Sequence, residues 1–449
     1  MNSTRKVFLL TLLVVSVLLL MHQLPTFSIN GMESRPVHLL SDLFPEEETE
    51  EEAEKPVSPV KKAPLPKYHP QGVELIEDFS EGHEGGMAHI YDRLLHADSL
   101  GTPIYIAYFG DSFIEGDIVT CDLREMLQEK YGGNGPGWVD FGSISKNRPT
   151  ARIYSQGLEE NVVIKKPYNR QLGGINQRYF YPSNGATIRI TPTKYKPHVG
   201  NWVNARLFLT TQADVTVEST TNGHESEVHT FAPSPEIQVI ETKGTLNSIS
   251  YRFPKGSSAT RVFGVTLDGN YGVALDNFSM RGSAGYTIGD IPLSTLQGIG
   301  KYRPYDLIIL QFGANVVDNN STNAMCRHYI NRMKKVIALL REAYPKASIC
   351  VFSVPDRVQR SASGIHTIKG IEKLVEFQRT MAAECGVAYL NVHQAMGGND
   401  SMKSFVENGL AAKDYTHLNF KGGHAIANHI YESILAGVEN HRRDLLNER

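Results

Sequence analysis

The sequence predicts an α/β chain built on a parallel sheet and interrupted by an inserted β-sandwich. Three observations carry this. Apolar strand-like runs alternate with helical patterns over residues 72–149, and the same rhythm returns over residues 275–449. Between them, residues 150–274 hold short alternating or β-branched runs separated by turn residues, with no helical pattern. That texture belongs to a β-sandwich.

Each element has its own signal. PIYIAYFG (103–110) reads as a buried strand. In IVTCDLREMLQEKYGGNG, residues Val119, Leu123, Met126, Leu127 and Tyr131 fall near helical spacing, and Gly132 and Gly133 supply the stop. The insert offers ATIRITPT, ARLFLTTQ, VTVEST, IQVIET, SISYRF and RVFGVTLDG as strands. After it, YDLIILQFG, ASICVFSVP and VAYLNV read as strands. MCRHYINRMKKVIALLREAYP, IEKLVEFQRTMAAECG and the closing GGHAIANHIYESILAGVENH read as helices. Alternation of this kind makes a parallel sheet covered on both faces. Its functional site lies beyond the carboxyl ends of the strands.

Two segments precede the body. In residues 1–29, Arg5 and Lys6 stand before an uncharged apolar run, Val7–Met21. A basic flank before an apolar core predicts export, as an uncleaved signal anchor or a cleaved signal peptide, with the body outside the cytoplasm. The run is shorter than the roughly 20 residues of a full span, and HQLPTFSI extends it toward the interface. Residues 30–71, with the acidic run EEETEEEAEK and the proline-rich KPVSPVKKAPLPKYHP, read as a linker unable to build a core. A net charge of −3 with no basic segment leaves no footprint for nucleic acid. Cys121, Cys326, Cys350 and Cys385 are widely spaced without a C-x-x-C pair, so free buried thiols are expected ahead of one or two disulfides, and a metal site is not expected.

Chemistry is expected at four places. Ser112, in IAYFGDSFIEGD, follows a strand directly. A serine needs a base to take its proton, and the base needs an orienting partner. KDYTHLNFKGGH places Asp414 and His417 three apart on one loop before the last helix, where the bland alternative is that they cap that helix. An acyl-transfer centre also needs oxyanion donors. Asn315 in QFGAN and Gly285 in MRGSAGYT are candidates, with turn-forming roles as the alternative.

In this order, Gly-Asp-Ser, a glycine after the insert, Gly-x-Asn after a strand and Asp-x-x-His before the last helix resemble the four blocks of the SGNH (GDSL-type) hydrolase family. The resemblance covers about residues 100–149 and 275–435. It implies a flavodoxin-like α/β/α sandwich with no metal or organic cofactor. It assigns Ser112, Asp414 and His417 as the triad, and the Ser112 N–H, Gly285 and Asn315 as the oxyanion hole. Val316 and Tyr415 depart from the family pattern, which often has Asp or Glu after the asparagine and Gly after the aspartate.

GDSFIEGD, LREMLQEKYGGNGPGWV and FGVTLDGNYGVALDN look like the periplasmic peptidoglycan O-acetylesterase group, which carries a carbohydrate-binding-like, jelly-roll-like β-sandwich between the first two blocks. That group usually has histidine after the serine, where this chain has Phe113. Phe113 and Trp138 are the candidate substrate contacts, Trp138 either lining the cleft or packing under the turn. Tyr179, Phe180, Tyr181 and Trp202 in the insert are expected to be core aromatics ahead of sugar platforms, and His424 and His429 structural.

The expected function is an envelope serine esterase releasing acetyl groups from peptidoglycan or a related polysaccharide, held at the membrane through its N-terminal segment. The rivals are an O-acetyltransferase using the same triad and a catalytically silent glycan-binding protein.

Overall fold

The computed structural model describes residues 3–22, 28–29, 32–33, 65–83, 85–142, 148–362 and 364–448. The chain divides into two units, Met1–Pro64 and Leu65–Arg449. The first contains helix α1 (Ser3–His22), which by length and composition is apolar enough to cross a membrane. The acidic run expected in the linker lies outside the described residues. Residues 65–68, also expected in the linker, lie instead along the last helix of the body. There Leu65 N–H donates to Asn447 Oδ1 at 2.7 Å, Tyr68 N–H to Asn440 Oδ1 at 2.6 Å, and Lys67 pairs with Asp444.

The second unit begins with β1 (Glu77–Asp78), α2 (Ala88–Leu95), β2 (Pro103–Gly110) and α3 (Thr120–Tyr131). An antiparallel region follows: β3 (Gly137–Val139), β4 (Ala151–Val162), β5 (Arg178–Pro192), β6 (Trp202–Thr211), β7 (Val215–Thr221), β8 (Glu225–Phe231), β9 (Ser234–Leu246), β10 (Ile249–Phe253) and β11 (Thr260–Asp268). The α/β pattern then resumes with β12 (Gly272–Ser279), α4 (Leu293–Gly300), β13 (Leu307–Gln311), α5 (Asn323–Ala343) and β14 (Ser348–Phe352). A hairpin, β15 (Val358–Ser361) and β16 (Gly364–Thr367), leads to α6 (Lys369–Cys385), β17 (Ala388–Leu390), α7 (Val392–Ala395), α8 (Ser401–Glu407) and α9 (Phe420–Asn447).

The first sheet runs β12–β2–β13–β14–β17–β1. Its first five strands are parallel, but β1 joins β17 antiparallel, so the sheet is mixed where a purely parallel one was expected. Alternation along β2 sorts two cores. Tyr105, Ala107 and Phe109 pack with residues of α4, α5 and α6, while Ile104, Ile106 and Tyr108 pack with residues of α2, α3 and α9. A strand buried on both faces reads as a continuous apolar run, which is how PIYIAYFG announced itself. Ser279, Gly110, Gln311 and Phe352 lie level at the carboxyl edge of four adjacent strands.

The nine antiparallel strands form two arms, β4–β5–β10–β7–β8 and β9–β6–β11–β3. The single pair Val262–Phe180 joins them into one hydrogen-bonded sheet, where separate sheets were expected. Their inward residues share one core, including Phe180, Ile188 and Tyr251 from the first arm and Leu207, Leu209 and Val265 from the second. The sheet also begins before residue 150, because β3 pairs with β11, and it ends at Asp268 before β12 enters the parallel sheet.

Candidate active site

Close approaches and local hydrogen bonding shape the turn that carries Ser112. A Cβ on Gly110 would meet the Ile114 side chain at 2.8 Å and the Gln311 carbonyl at 3.2 Å, so only glycine lets β2 end there. Asp111 then folds the turn on itself, its Oδ1 accepting the Phe113 N–H at 2.9 Å. Gly116 and Asp117 both take positive φ, inserting a short 3-10 turn that the sequence pattern did not predict ahead of α3.

The partner loop forms 305 residues further along the chain. Ala411 bridges Leu418, and Ala412 N–H donates to the His417 carbonyl at 2.8 Å, pinching residues 412–417 into a tight turn. Asn419, not Asp414 or His417, caps α9, its side chain accepting from Lys421 and Gly422 N–H. This removes the capping alternative for Asp414 and His417. Gly423 would place a Cβ 1.9 Å from the Ile118 carbonyl, so its lack of a side chain lets α9 start directly against the segment after Ser112.

These approaches bring three side chains into line. His417 Nε2 stands 3.1 Å from Ser112 Oγ, and His417 Nδ1 stands 2.7 Å from Asp414 Oδ2. An ionised carboxylate only accepts, so Nδ1 carries the hydrogen and Nε2 is left to accept from the serine hydroxyl. Asp414 Oδ1 also takes the backbone N–H groups of Thr416 and His417, each at 3.0 Å. Partial burial pushes the Asp414 carboxyl up, but the hydrogen bonds from the His417 ring, the His417 N–H and the Thr416 N–H outweigh it and hold it below its usual range. Asp414 therefore stays ionised, as an orienting partner must.

The remaining predicted residues converge from other strand ends. Gly313, at φ +134°, leaves no room for a side chain against Leu374 and Val354 and turns Asn315 toward Asp111. Arg357 holds this turn through the Ala314 carbonyl at 2.9 Å, and Gln378 through the Phe312 carbonyl at 2.8 Å. Asn315 Nδ2 donates to Asp111 Oδ2 at 3.1 Å and to the Ser283 carbonyl at 3.2 Å. The Gly285 N–H donates to Ser283 Oγ at 3.0 Å. Of the three expected oxyanion donors, Gly285 and Asn315 thus have protein acceptors in this conformation.

Asp111 and Ser283 were missed in the sequence. Asp111 was visible only as the middle letter of Gly-Asp-Ser, and nothing local marks Ser283. Burial drives the Asp111 carboxyl up to about 6, against the Phe113 N–H, the nearby His417 and the Asn315 amide, which favour the charged form.

Phe113 and Trp138 are both buried. Phe113 is buried with Ile114, Val119 and Leu123. Trp138 is buried with ring centroids 5.1 Å from Phe208 and 5.6 Å from Phe278, and Gly264 gives it room. Tyr179, Phe180 and Trp202 are likewise buried, and Tyr181 is half-buried against Tyr179. Among the described residues no three His, Cys, Asp or Glu side chains gather as a metal site. Cys121, Cys326 and Cys350 are buried free thiols, and Cys385 is a half-buried one.

Comparison with known proteins places part of the body in a family. Residues 247–425 match the GDSL-like lipase/acylhydrolase family. The chain carries a GDSL-like acylhydrolase domain. The match takes in Gly285, Asn315, Asp414 and His417. Ser112 lies before it, separated by the earlier strands of the antiparallel region. The acylhydrolase domain makes the protein a carboxylic ester hydrolase. A solved peptidoglycan O-acetylesterase resembles the chain in fold, with TM-score 0.67 and 20% identity, over 81% of this chain and 99% of that one. A carbohydrate esterase family 2 enzyme with a carbohydrate-binding domain from Corynascus thermopiles (Myceliophthora fergusii) gives TM-score 0.29 and 12% identity, over 64% of this chain and 99% of that one. That value is too low to establish a shared fold. No curated protein sequence matches the chain.

Proposed function

We propose that this acylhydrolase is an exported serine esterase that removes O-acetyl groups from peptidoglycan or a related polysaccharide. The observation carrying the reading is the continuous relay Ser112 Oγ–His417 Nε2 and His417 Nδ1–Asp414 Oδ2, at 3.1 and 2.7 Å. Likeness of fold to a peptidoglycan O-acetylesterase supports the choice of substrate. The apolar helix Ser3–His22 supports an envelope location with a membrane anchor.

Ser112 Oγ attacks the acetyl carbonyl carbon while His417 Nε2 takes its proton, and Asp414 stabilises the imidazolium that forms. Charge develops on the carbonyl oxygen, where the Ser112 N–H, the Gly285 N–H and the Asn315 amide are the proposed donors. For Gly285 and Asn315 to serve, the oxyanion displaces Ser283 Oγ from one and an Asp111 or Ser283 oxygen from the other. His417 returns its proton to the departing sugar oxygen. Water then attacks the acetyl-Ser112 ester by the same route, releasing acetate.

The test is acetate release from acetylated peptidoglycan beside acetylated xylan. Peptidoglycan is expected to be the better substrate. Ser112→Ala is expected to abolish turnover, and Asn315→Ala to lower kcat by roughly 10²–10³. Turnover that survives Ser112→Ala would overturn the serine mechanism.

A further inference from the structure

The solvent face of the larger antiparallel arm carries a groove of about 710 Å³, lined by Arg152, Tyr154, Arg189, Ser250 and Arg252 among others. It shares no residue with the Ser112 centre. Strand alternation creates it. Ile188, Ile190, Ile249 and Tyr251 point into the core, which leaves the residues between them facing water.

Register aligns the arginines. Arg152 stands opposite Thr191, Arg189 opposite Tyr154 on one side and Ser250 on the other, and Arg252 opposite Thr187. Each arginine is therefore one strand across and two residues along from the last. With strands about 4.8 Å apart and a rise of about 3.4 Å per residue, successive Cα atoms on this straight diagonal are about 8 Å apart. Arg252 is paired with Glu218 at 3.0 Å. Arg152 and Arg189 pair with no carboxylate among the described residues, and both are exposed. Two uncompensated guanidinium groups at this spacing form a fork that matches planar anions.

The surroundings select the kind of anion. Tyr154 is 59% exposed and lies directly across from Arg189, so its ring is a free stacking face. Hydroxyls of Thr187, Thr191, Thr220 and Ser250 surround the diagonal. Glu218 within the groove is taken up by Arg252, which leaves Arg152 and Arg189 as its uncompensated charges. We propose that this groove binds an acidic polysaccharide, with carboxylates held by Arg152 and Arg189 and a sugar ring laid on Tyr154. The site would hold the polymer independently of ester hydrolysis.

Affinity electrophoresis of the full chain in gels containing polygalacturonate tests this. Gels with fully methyl-esterified polygalacturonate, poly-glutamate or duplex DNA run beside it. Retardation by polygalacturonate alone is expected. The exposed double substitution R152Q/R189Q should weaken it about tenfold, the scale of two solvent-facing charge contacts. Y154A, which changes no charge, should also weaken it at least threefold. Native-like binding by either variant overturns the proposal. So does equal retardation by the methyl-esterified polymer, by poly-glutamate or by DNA, each of which reassigns the groove to another ligand class. Turnover of 4-nitrophenyl acetate by both variants should match the native chain, which shows that they fold. Ser112→Ala should still be retarded, so failure of the esterase reading and failure of this one are distinguishable.

Discussion

Asp111 sits between two demands. Its carboxyl is nearly inaccessible to water, yet it organises the Ser112 turn through Phe113 and receives the amide of Asn315. Burial raises it from 3.8 to about 6, so the native state binds this proton more tightly than the unfolded chain does. The associated stability is fully present below about pH 4 and is lost as the pH climbs through about 6. A shift of this size corresponds to about 3 kcal/mol. Asp111→Asn removes the ionisation. Its unfolding free energy, relative to the native protein, should therefore rise by about that amount between pH 4 and pH 8 in urea titrations. A difference independent of pH would show that Asp111 keeps an ordinary carboxylate range. At this scale the candidate site was partly legible. Ser112, Asn315, Asp414 and His417 were recognisable because their order along the chain is restrictive. Asp111 and Ser283 were not, since their importance lies in what they accept from residues distant in sequence.

At the scale of the element, the loop between α8 and α9 shows why Asp-x-x-His can work as a unit. Tyr415 adopts φ +59°, the left-handed conformation that an Asp-Gly-x-His pattern would fill with glycine. The departure at Tyr415 is therefore one of side chain and not of backbone path. A non-glycine residue here costs about 1–2 kcal/mol, and Tyr415 offsets part of it by packing half-buried against the α2–α3–α9 core. Comparing two truncations separates strain from packing. Tyr415→Ala loses the packing and keeps the strain, whereas Tyr415→Gly loses both. The glycine variant should be the more stable of the pair by about 1 kcal/mol in thermal unfolding. Equal stabilities would mean that the loop relaxes its backbone once the ring is gone. Strands were the most legible elements, because β2 is apolar throughout and β13 and β14 are polar only at one end, Gln311 and Ser348. The 3-10 turn at Glu115–Asp117 was hidden, because its geometry depends on buried partners. Asp117 is held by Arg124 and Arg148, together with Thr120 and Thr150. Burial would raise its carboxyl, but the two guanidinium groups and two hydroxyls lower it far below its usual range.

At the scale of the whole molecule, the antiparallel region is built into the acylhydrolase domain and not merely attached to it. Arg148, at the entrance to the insert, reaches Asp117 in the segment after Ser112 at 2.6 Å. At the exit, Arg303 is fully buried between Asp268 of β11 and Asp276 of β12. Trp138 fills the junction itself, between Phe208 of the antiparallel sheet and Phe278 of the mixed one. Trp138→Ala is therefore expected to cost about 3–5 kcal/mol of stability through the cavity it leaves. The folded fraction should keep the native KM for 4-nitrophenyl acetate. A raised KM with unchanged thermal stability would restore Trp138 as a substrate contact.

The sequence by itself determined the alternation of strands and helices, the position of the β-rich interruption and the order of the chemical residues. Each is written locally, as periodicity, turn chemistry or motif. Tertiary structure alone decided the rest. It placed β1 antiparallel at the sheet edge and carried the antiparallel sheet back to Gly137. It buried Phe113 and Trp138, and it closed 305 residues of separation to a 3.1 Å contact between Ser112 and His417. Those outcomes depend on which surfaces meet, and an aromatic residue beside a turn looks the same in sequence whether it faces water or the core.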